Sequence, residues 1–193
     1  MEKIENIDFN ALRDRVYENA CNHGWYDEMP TEQREVMLIV SEMSEAVNAD
    51  RKGKYADRLM FEKNFDTPQT DPEGHWKFCY ETFIKDTVED EIADTFLRLL
   101  SYSKHSDINI LPRFFTKLCI ENMHSFMIRE VGLPEQLYTV VFTIVDGGED
   151  RISIALLRLI VLARINDIDL LWHIEQKMKY NEMRPYKHGG KKY

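Results

Sequence analysis

The chain has 193 residues and a formal net charge of −9, which suits one domain or two small units that share a core. This charge argues against a general nucleic-acid-binding protein, because a phosphate backbone would be repelled. Three widely spaced cysteines, Cys21, Cys79 and Cys119, form no zinc or disulfide pattern. The N-terminus lacks a signal segment and no stretch is apolar enough to cross a bilayer, so we expect a cytoplasmic protein that does not enter membranes.

Apolar residues recur at intervals of three to four residues along most of the chain, as is typical of amphipathic helices. The first predicted helix runs from about Phe9 to Gly24, and the second begins at Thr31 and ends near Ala49. Residues 51–76 contain two prolines and two glycines and form the longest irregular stretch. We interpret this stretch as an inserted loop, and loops of such length commonly act as lids.

Further helical patterns follow the loop as far as the C-terminal tail. They cover about residues 81–104, 110–130, 135–145, 150–164 and 167–181. The tail from Arg184 onward is basic and contains helix-breaking residues. Because strand signals are weak throughout, we predict an all-α protein built as a helical bundle.

Two segments of the chain, residues 92–110 and 152–170, resemble each other without a gap. The identical pairs are Ile92/Ile152, Leu97/Leu157, Arg98/Arg158, Leu99/Leu159, Asp107/Asp167 and Ile108/Ile168. A fainter match aligns residues 31–45 with residues 134–148. Two amphipathic helices can resemble each other by chance, but both matches fall in the same order along the chain. This order favours an internal duplication.

Two short acidic motifs carry the candidate chemistry. Glu42 and Glu45 are three residues apart on one predicted helix, and Glu91 and Asp94 are three apart on another, so each pair shares a helix face. Four converging carboxylates would repel each other unless a hard divalent cation such as Mg²⁺ bound between them. Histidines at matching spacing are missing, which disfavours zinc and di-iron sites. The alternative is that these are surface carboxylates on acidic helices.

A resemblance to a known family rests on the two motifs and on a closing segment. The motifs are EVMLIVSEMSEAVNADRKGK and VEDEIADTFLRLL, and the closing segment is KMKYNEMRPYKHGGKKY. The motifs resemble the ExxE and ExxD signature of the MazG-like, all-α nucleoside-triphosphate pyrophosphohydrolases, which are related to dimeric dUTPases and dCTP pyrophosphatases. The closing segment resembles the basic, asparagine-containing end of the same family.

This resemblance implies a four-helix bundle that cleaves an NTP or dNTP to the NMP and pyrophosphate. It implies Mg²⁺, with Mn²⁺ as a substitute, bound by Glu42, Glu45, Glu91 and Asp94. A carboxylate, for which Glu45 is our candidate, would accept a proton from the attacking water. The sequence itself does not single out one of the four for that role.

The resemblance and the repeat together imply a pseudo-dimer. Residues 1–110 would form the catalytic repeat, with the inserted loop at about 51–80 longer than is usual in the family. Residues 111–193 would form a degenerate second repeat with a basic tail. In that half, the four acidic ligands align with Val145, Gly148, Arg151 and Ile154. A further homodimer of the chain stays open.

Substrate contacts are expected from an aromatic residue and from basic or polar residues near the two motifs. The resemblance implies that Trp25 stacks on the base, although a tryptophan that only packs at a helix end is the alternative. The candidates for contact with the triphosphate are Lys52, Lys54, Lys177, Asn181, Arg184, Tyr186 and Lys187. Base and sugar preference stay open.

Two other functions compete with the enzyme. A catalytically inactive nucleotide-binding or regulatory protein on the same scaffold would bind the nucleotide but release no pyrophosphate. A structural helical adaptor would gain no thermal stability from Mg²⁺.

Overall fold

The computed structural model describes residues 4–65, 70–127 and 132–190. Within these ranges the chain is helical and forms no β-strand, so the predicted all-α class is confirmed. The α-helices of eight or more residues are α1 (Phe9–Asn22), α2 (Glu32–Arg51), α3 (Arg58–Phe65), α4 (Pro72–Phe83), α5 (Val88–His105), α6 (Lys117–Met127), α7 (Leu133–Asp146), α8 (Arg151–Ile165) and α9 (Leu170–Glu182). None of these helices combines the length and apolar character needed to cross a membrane.

Side-chain caps fix where the two motif-bearing helices begin. The Thr31 hydroxyl accepts a hydrogen bond from the Arg34 amide at 3.3 Å, which starts α2 at the predicted position. Thr87 caps α5 in the same way, with its hydroxyl 3.3 Å from the Asp90 amide. The prediction of one helix over residues 81–104 is therefore wrong, because α4 ends at Phe83 and a turn separates it from α5.

The prediction of an irregular stretch over residues 51–76 is also wrong, because α3 and most of the first two turns of α4 lie there. The Asp57 carboxylate accepts from the Met60 amide at 3.0 Å near the start of α3. Asp71 caps α4 through the Gly74 amide at 3.0 Å, and the proline next to it occupies the first helical turn, where a missing N–H costs nothing. Residues 66–69 of the predicted insert lie outside the described residues.

The helix predicted over residues 110–130 is divided by a change of geometry. A 3₁₀ turn at Pro112–Phe115 precedes α6, and Thr116 between them is extended. The Thr116 hydroxyl accepts from the Cys119 amide at 3.3 Å, so the chain starts a new helix there. Residues 128–131, at the end of the predicted helix, lie outside the described part of the chain, as do residues 191–193 of the tail.

Helix α5 is the centre of the molecule. It packs against α1, α2, α8 and α9, and its apolar residues such as Ile92, Phe96 and Leu99 have no measurable exposure. Helix α9 lies in the C-terminal part of the chain but packs mainly on α5, which belongs to the N-terminal part. The four helices α1, α2, α5 and α9 therefore surround the space above the acidic motifs.

A second, smaller core joins the inserted helices to the bundle. Phe61 of α3 and Trp76 and Tyr80 of α4 pack with Tyr180 of α9, and all four are at least nine-tenths buried. The rings of Tyr80 and Tyr180 are stacked with centroids 4.6 Å apart. The insert therefore packs directly on α9.

The structure of α8 matches that of α5 in burial and in termination. Each residue from 92 to 103 is as buried or half-buried as the residue that aligns with it between 152 and 163. Both helices end in one turn type, in which the Ile108 amide reaches the Ser103 carbonyl and the Ile168 amide reaches the Ala163 carbonyl, each at 2.8 Å. In addition, α6 and α7 pack on α8 as α1 and α2 pack on α5.

The fainter match of residues 31–45 with 134–148 does not survive in that register. It pairs buried Ile39 of α2 with Phe142 of α7, which is 57% exposed. It likewise pairs buried Glu42 with Val145, which is 66% exposed. The α7 stripe that faces the core is Leu137, Val140 and Ile144, so an ungapped alignment places the wrong helix face inward.

Candidate functional site

The α2 and α5 motifs meet at the base of a cavity. Oxygen atoms of Glu42, Glu91 and Asp94 lie within 4.8 Å of one another. Glu42 retains 7% and Glu91 only 3% of its surface exposure. This burial argues against the alternative of solvated surface carboxylates for Glu42 and Glu91, and Asp94 is half-buried beside them.

Glu45 differs from the other three predicted ligands. It lies one helical turn after Glu42 and lines the same cavity, but its side chain is exposed. It is not part of the group of oxygens that could share one ion. The spacing on α2 therefore brings Glu45 to the edge of the site rather than to its base.

Burial controls the protonation of this group. It raises the pKa of Glu91 to about 9, so this carboxyl is neutral at pH 7 in the free protein. Burial and the nearby Asp94 raise the pKa of Glu42 to about 7. Burial would also raise the pKa of Asp94, but the cations Lys177 and Arg98 outweigh it and hold that pKa below its usual value.

Two positively charged side chains, Arg98 and Lys177, lie beside the carboxylates and affect their pKa values. The sequence motifs did not indicate these contacts. The Arg98 Nε donates to Glu42 Oε1 at 2.5 Å. The Lys177 Nζ, on α9, lies 3.2 Å from Asp94 Oδ2 and donates to Asp90 Oδ2 at 2.9 Å. Asp90 also accepts from the Tyr80 hydroxyl. Arg98 lies four residues after Asp94, and this helical spacing could have indicated that it shares the acidic face.

The donor atoms suit a hard divalent cation. Among the described residues, no group hydrogen-bonds to the Glu91 carboxyl, although it is almost fully buried and lines the cavity. The Glu91 oxygens are therefore open to a ligand in the cavity. The other donors in the group are also carboxylate oxygens, which Mg²⁺ and Mn²⁺ prefer and which zinc does not require.

The cavity above the carboxylates has a volume of about 210 Å³ and is closed by basic and aromatic residues. Its basic residues include Lys85 and Arg184, and its aromatic residues include Trp25 and Tyr26. A second cavity of about 80 Å³ shares Trp25, Tyr26 and Arg98 with the first, and Leu38 gives it an apolar wall. The two cavities together offer one acidic, one basic and one apolar surface.

The structure brings some of the predicted substrate contacts to this cavity. Trp25, Lys177, Asn181 and Arg184 all line it. The Trp25 ring is half-buried, lines the cavity and meets His188 edge-on at 4.8 Å between centroids.

The other predicted contacts lie outside the cavity. Lys52 and Lys54 follow the end of α2, about 10 Å along the helix direction from Glu45, and Lys54 instead approaches Asp86 at 3.6 Å. Tyr186 packs against Gly24 and its hydroxyl donates to Asp27. Its neighbour Lys187 lines the second cavity.

Comparison of the chain with models of protein families, with curated proteins and with solved structures gives no match. The function must therefore be argued from the geometry of the site and from the sequence motifs.

Proposed function

We propose that this chain is a Mg²⁺-dependent nucleoside-triphosphate pyrophosphohydrolase of the MazG-like type, which converts an NTP or dNTP to the NMP and pyrophosphate. The observation that carries the proposal is the buried group of Glu42, Glu91 and Asp94, in which Glu91 has no partner among the described residues. This group faces basic residues across a cavity. Mn²⁺ is expected to substitute for Mg²⁺, because both take oxygen ligands.

A bound Mg²⁺ would supply Lewis-acid chemistry at the phosphates and lower the pKa of a water molecule. Glu45 is exposed at the cavity edge and outside the oxygen cluster, which suits it to accept the proton of the attacking water. The water oxygen bonds to the α-phosphorus, the bond to the bridging oxygen breaks, and pyrophosphate leaves. Lys85 and Arg184 line the same cavity and would balance the charge of the leaving group.

The nucleoside is expected at the junction of the two cavities. Trp25 and Tyr26 line both of them, and an aromatic face can stack on any base. This arrangement supports a ligand with a charged end and a flat, less polar end. It also supports Asn181 as a contact, because its side-chain oxygen is buried without a hydrogen-bond partner beside the first cavity.

The matched burial of α5 and α8 supports an internal duplication, in which the second half replaces a partner subunit. Arg151 and Ile154 of α8 occupy the positions of Glu91 and Asp94, so this half would bind no metal. Arg151 instead donates to Glu32 of α2 at 2.6 Å and to the Tyr102 hydroxyl of α5 at 2.9 Å. The former ligand position would thus hold the two halves together, and a homodimer is not required for a complete site.

One observation favours the alternative of an inactive nucleotide-binding protein. Arg98 and Lys177 already neutralise part of the acidic group, so the cluster does not depend on a metal for all of its charge balance. Such a protein would bind a nucleoside triphosphate in the same cavity and leave it intact.

Product analysis separates these functions. We expect the protein with Mg²⁺ to release NMP and pyrophosphate in equal amounts from at least one NTP or dNTP. Glu42→Gln and Asp94→Asn should each lower turnover at least about 100-fold, because each removes a proposed ligand. Glu18→Gln, an exposed acid on α1 outside the cavity, is the matched control. Turnover near that of the unaltered protein in both ligand variants, or release of NDP and phosphate, would overturn the proposal.

A further inference from the structure

The site contains a second acidic group beside the first. Oxygens of Asp86, Asp90 and Glu91 also lie within 4.8 Å of one another, and Glu91 belongs to both groups. By residue type alone, the two groups could hold two divalent cations side by side. Their hydrogen bonds show that they are not equivalent.

A protein cation already occupies the second group. The Lys177 ammonium, whose side chain is 6% exposed, lies 2.9 Å from Asp90 Oδ2 and 3.2 Å from Asp94 Oδ2. It thus sits between the second group and the nearest acid of the first. Burial would lower the pKa of Lys177, but Asp90 and Asp94 raise it well above its usual value.

The remaining acceptor sites of the second group are also in use. Asp90 Oδ1 accepts from the Tyr80 hydroxyl, and Oδ2 accepts from the Asp86 amide at 3.0 Å as well as from Lys177. A carboxylate has about four lone-pair sites, so little remains for a metal ion. The Asp86 carboxylate pairs with Lys85 at 2.7 Å.

The first group is open in comparison. No described residue hydrogen-bonds to its Glu91 carboxyl. Arg98 hydrogen-bonds to Glu42, and Asp94 forms its ion pair with the shared Lys177 at 3.2 Å. The packing of α9 on α5 explains the difference, because it brings the Lys177 ammonium to Asp90 and Asp94.

We propose that Lys177 is a resident cation that fills the Asp86/Asp90/Glu91 group, so that the site accepts a single divalent cation on Glu42, Glu91 and Asp94. Lys177 is then a positioning residue, which holds Asp94, rather than a contact to the triphosphate as its sequence position suggested. This inference rests on the metal site of the proposed function and adds its stoichiometry.

Counting bound Mn²⁺ by electron paramagnetic resonance tests the inference without any turnover. We expect one Mn²⁺ per chain for the unaltered protein and for Lys177→Arg, which keeps the charge. Lys177→Met keeps a long side chain but leaves Asp90 and Asp94 without their cation, so it should bind two Mn²⁺ per chain. Circular dichroism confirms that each variant is folded.

If Lys177→Met does not fold, the number of Mn²⁺ ions bound by Asp86→Asn and their affinity test the inference instead. Asp86 has a φ of 58°, which asparagine tolerates well, so this variant is mild. It should keep one Mn²⁺ with unchanged affinity, because the second group is not a metal site. Two Mn²⁺ in the unaltered protein, weaker binding in Asp86→Asn, or one unchanged site in a folded Lys177→Met would each overturn the inference. No bound Mn²⁺ at all would instead overturn the metal site of the proposed function.

Discussion

Replacing Glu91 by glutamine should stabilise the metal-free protein at alkaline pH, although Glu91 belongs to the proposed metal site. The folded protein keeps this carboxyl protonated up to a pKa of about 9, whereas its usual value is about 4.5. Because the pKa is raised on folding, the stability that Glu91 contributes is fully present below about pH 4.5 and is lost as the pH rises to about 9. Glutamine is neutral at every pH and escapes this loss.

The size of the effect follows from the linkage between protonation and folding. Between the two pKa values, the unaltered protein loses about 1.4 kcal/mol of unfolding free energy per pH unit because of this one group. From pH 5 to pH 8 the variant should therefore gain up to about 4 kcal/mol relative to the unaltered protein. Because this is a difference between two pH values, it cancels any constant effect of the changed side chain on packing.

Urea unfolding of both proteins in the presence of a chelator, at pH 5 and pH 8, measures this difference. Glu45→Gln is the matched control, since Glu45 is exposed at the same cavity, and it should change stability by less than about 0.5 kcal/mol at either pH. The raised pKa of Glu91 would be contradicted if Glu91→Gln were no more stable, relative to the unaltered protein, at pH 8 than at pH 5.

Three further predictions follow from the same geometry. The carboxyl groups must be ionised to bind a metal, and the pKa values of Glu91 and Glu42 are about 9 and about 7. Binding of one Mg²⁺ at pH 7 should therefore release about 1.5 protons. Calorimetry in two buffers that shows no proton release would contradict this. Gly24→Ala should cost about 1–3 kcal/mol in unfolding free energy and raise the nucleotide KM, because the new Cβ would lie 2.4 Å from the Tyr186 ring at a φ of +78°; an unchanged melting temperature and KM would contradict it. Trp25→Ala should weaken nucleotide binding by about 1–3 kcal/mol and Trp25→Phe by clearly less, since a ring still stacks on the base; equal affinity in both variants, measured by calorimetry, would contradict the stacking role.

The helices that bear the site could be predicted because their starts are local signals. Thr31 precedes the α2 stripe, and its hydroxyl caps the helix where the sequence indicated. Thr87 is an equally good cap, but the apolar residues Ile84 and Val88 keep helical spacing across it and hide the end of α4. The inserted α3 and α4 were missed because prolines and glycines dominated the pattern, while their stability comes from aromatic contacts with α9.

Helical spacing predicts which residues of the site share a face of one helix, but it does not predict contacts between helices. A spacing of three residues places Glu91 and Asp94 on one face, and the structure does bring Glu42 to them. Spacing could not show that Glu45 turns outward, because that depends on how α2 rotates against α5. It also could not pair Lys177 with Asp90, since these residues are 87 positions apart and meet only through the packing of α9.

In the proposed site, α2 and α5 hold one divalent cation between their carboxylates. Anomalous diffraction from crystals grown with Mn²⁺ locates this cation. We expect a single strong peak bound by Glu42, Glu91 and Asp94, and no peak between Asp86 and Asp90. Crystals that bind Mn²⁺ only elsewhere, or that show these three carboxylates without a metal at saturating Mn²⁺, would contradict it.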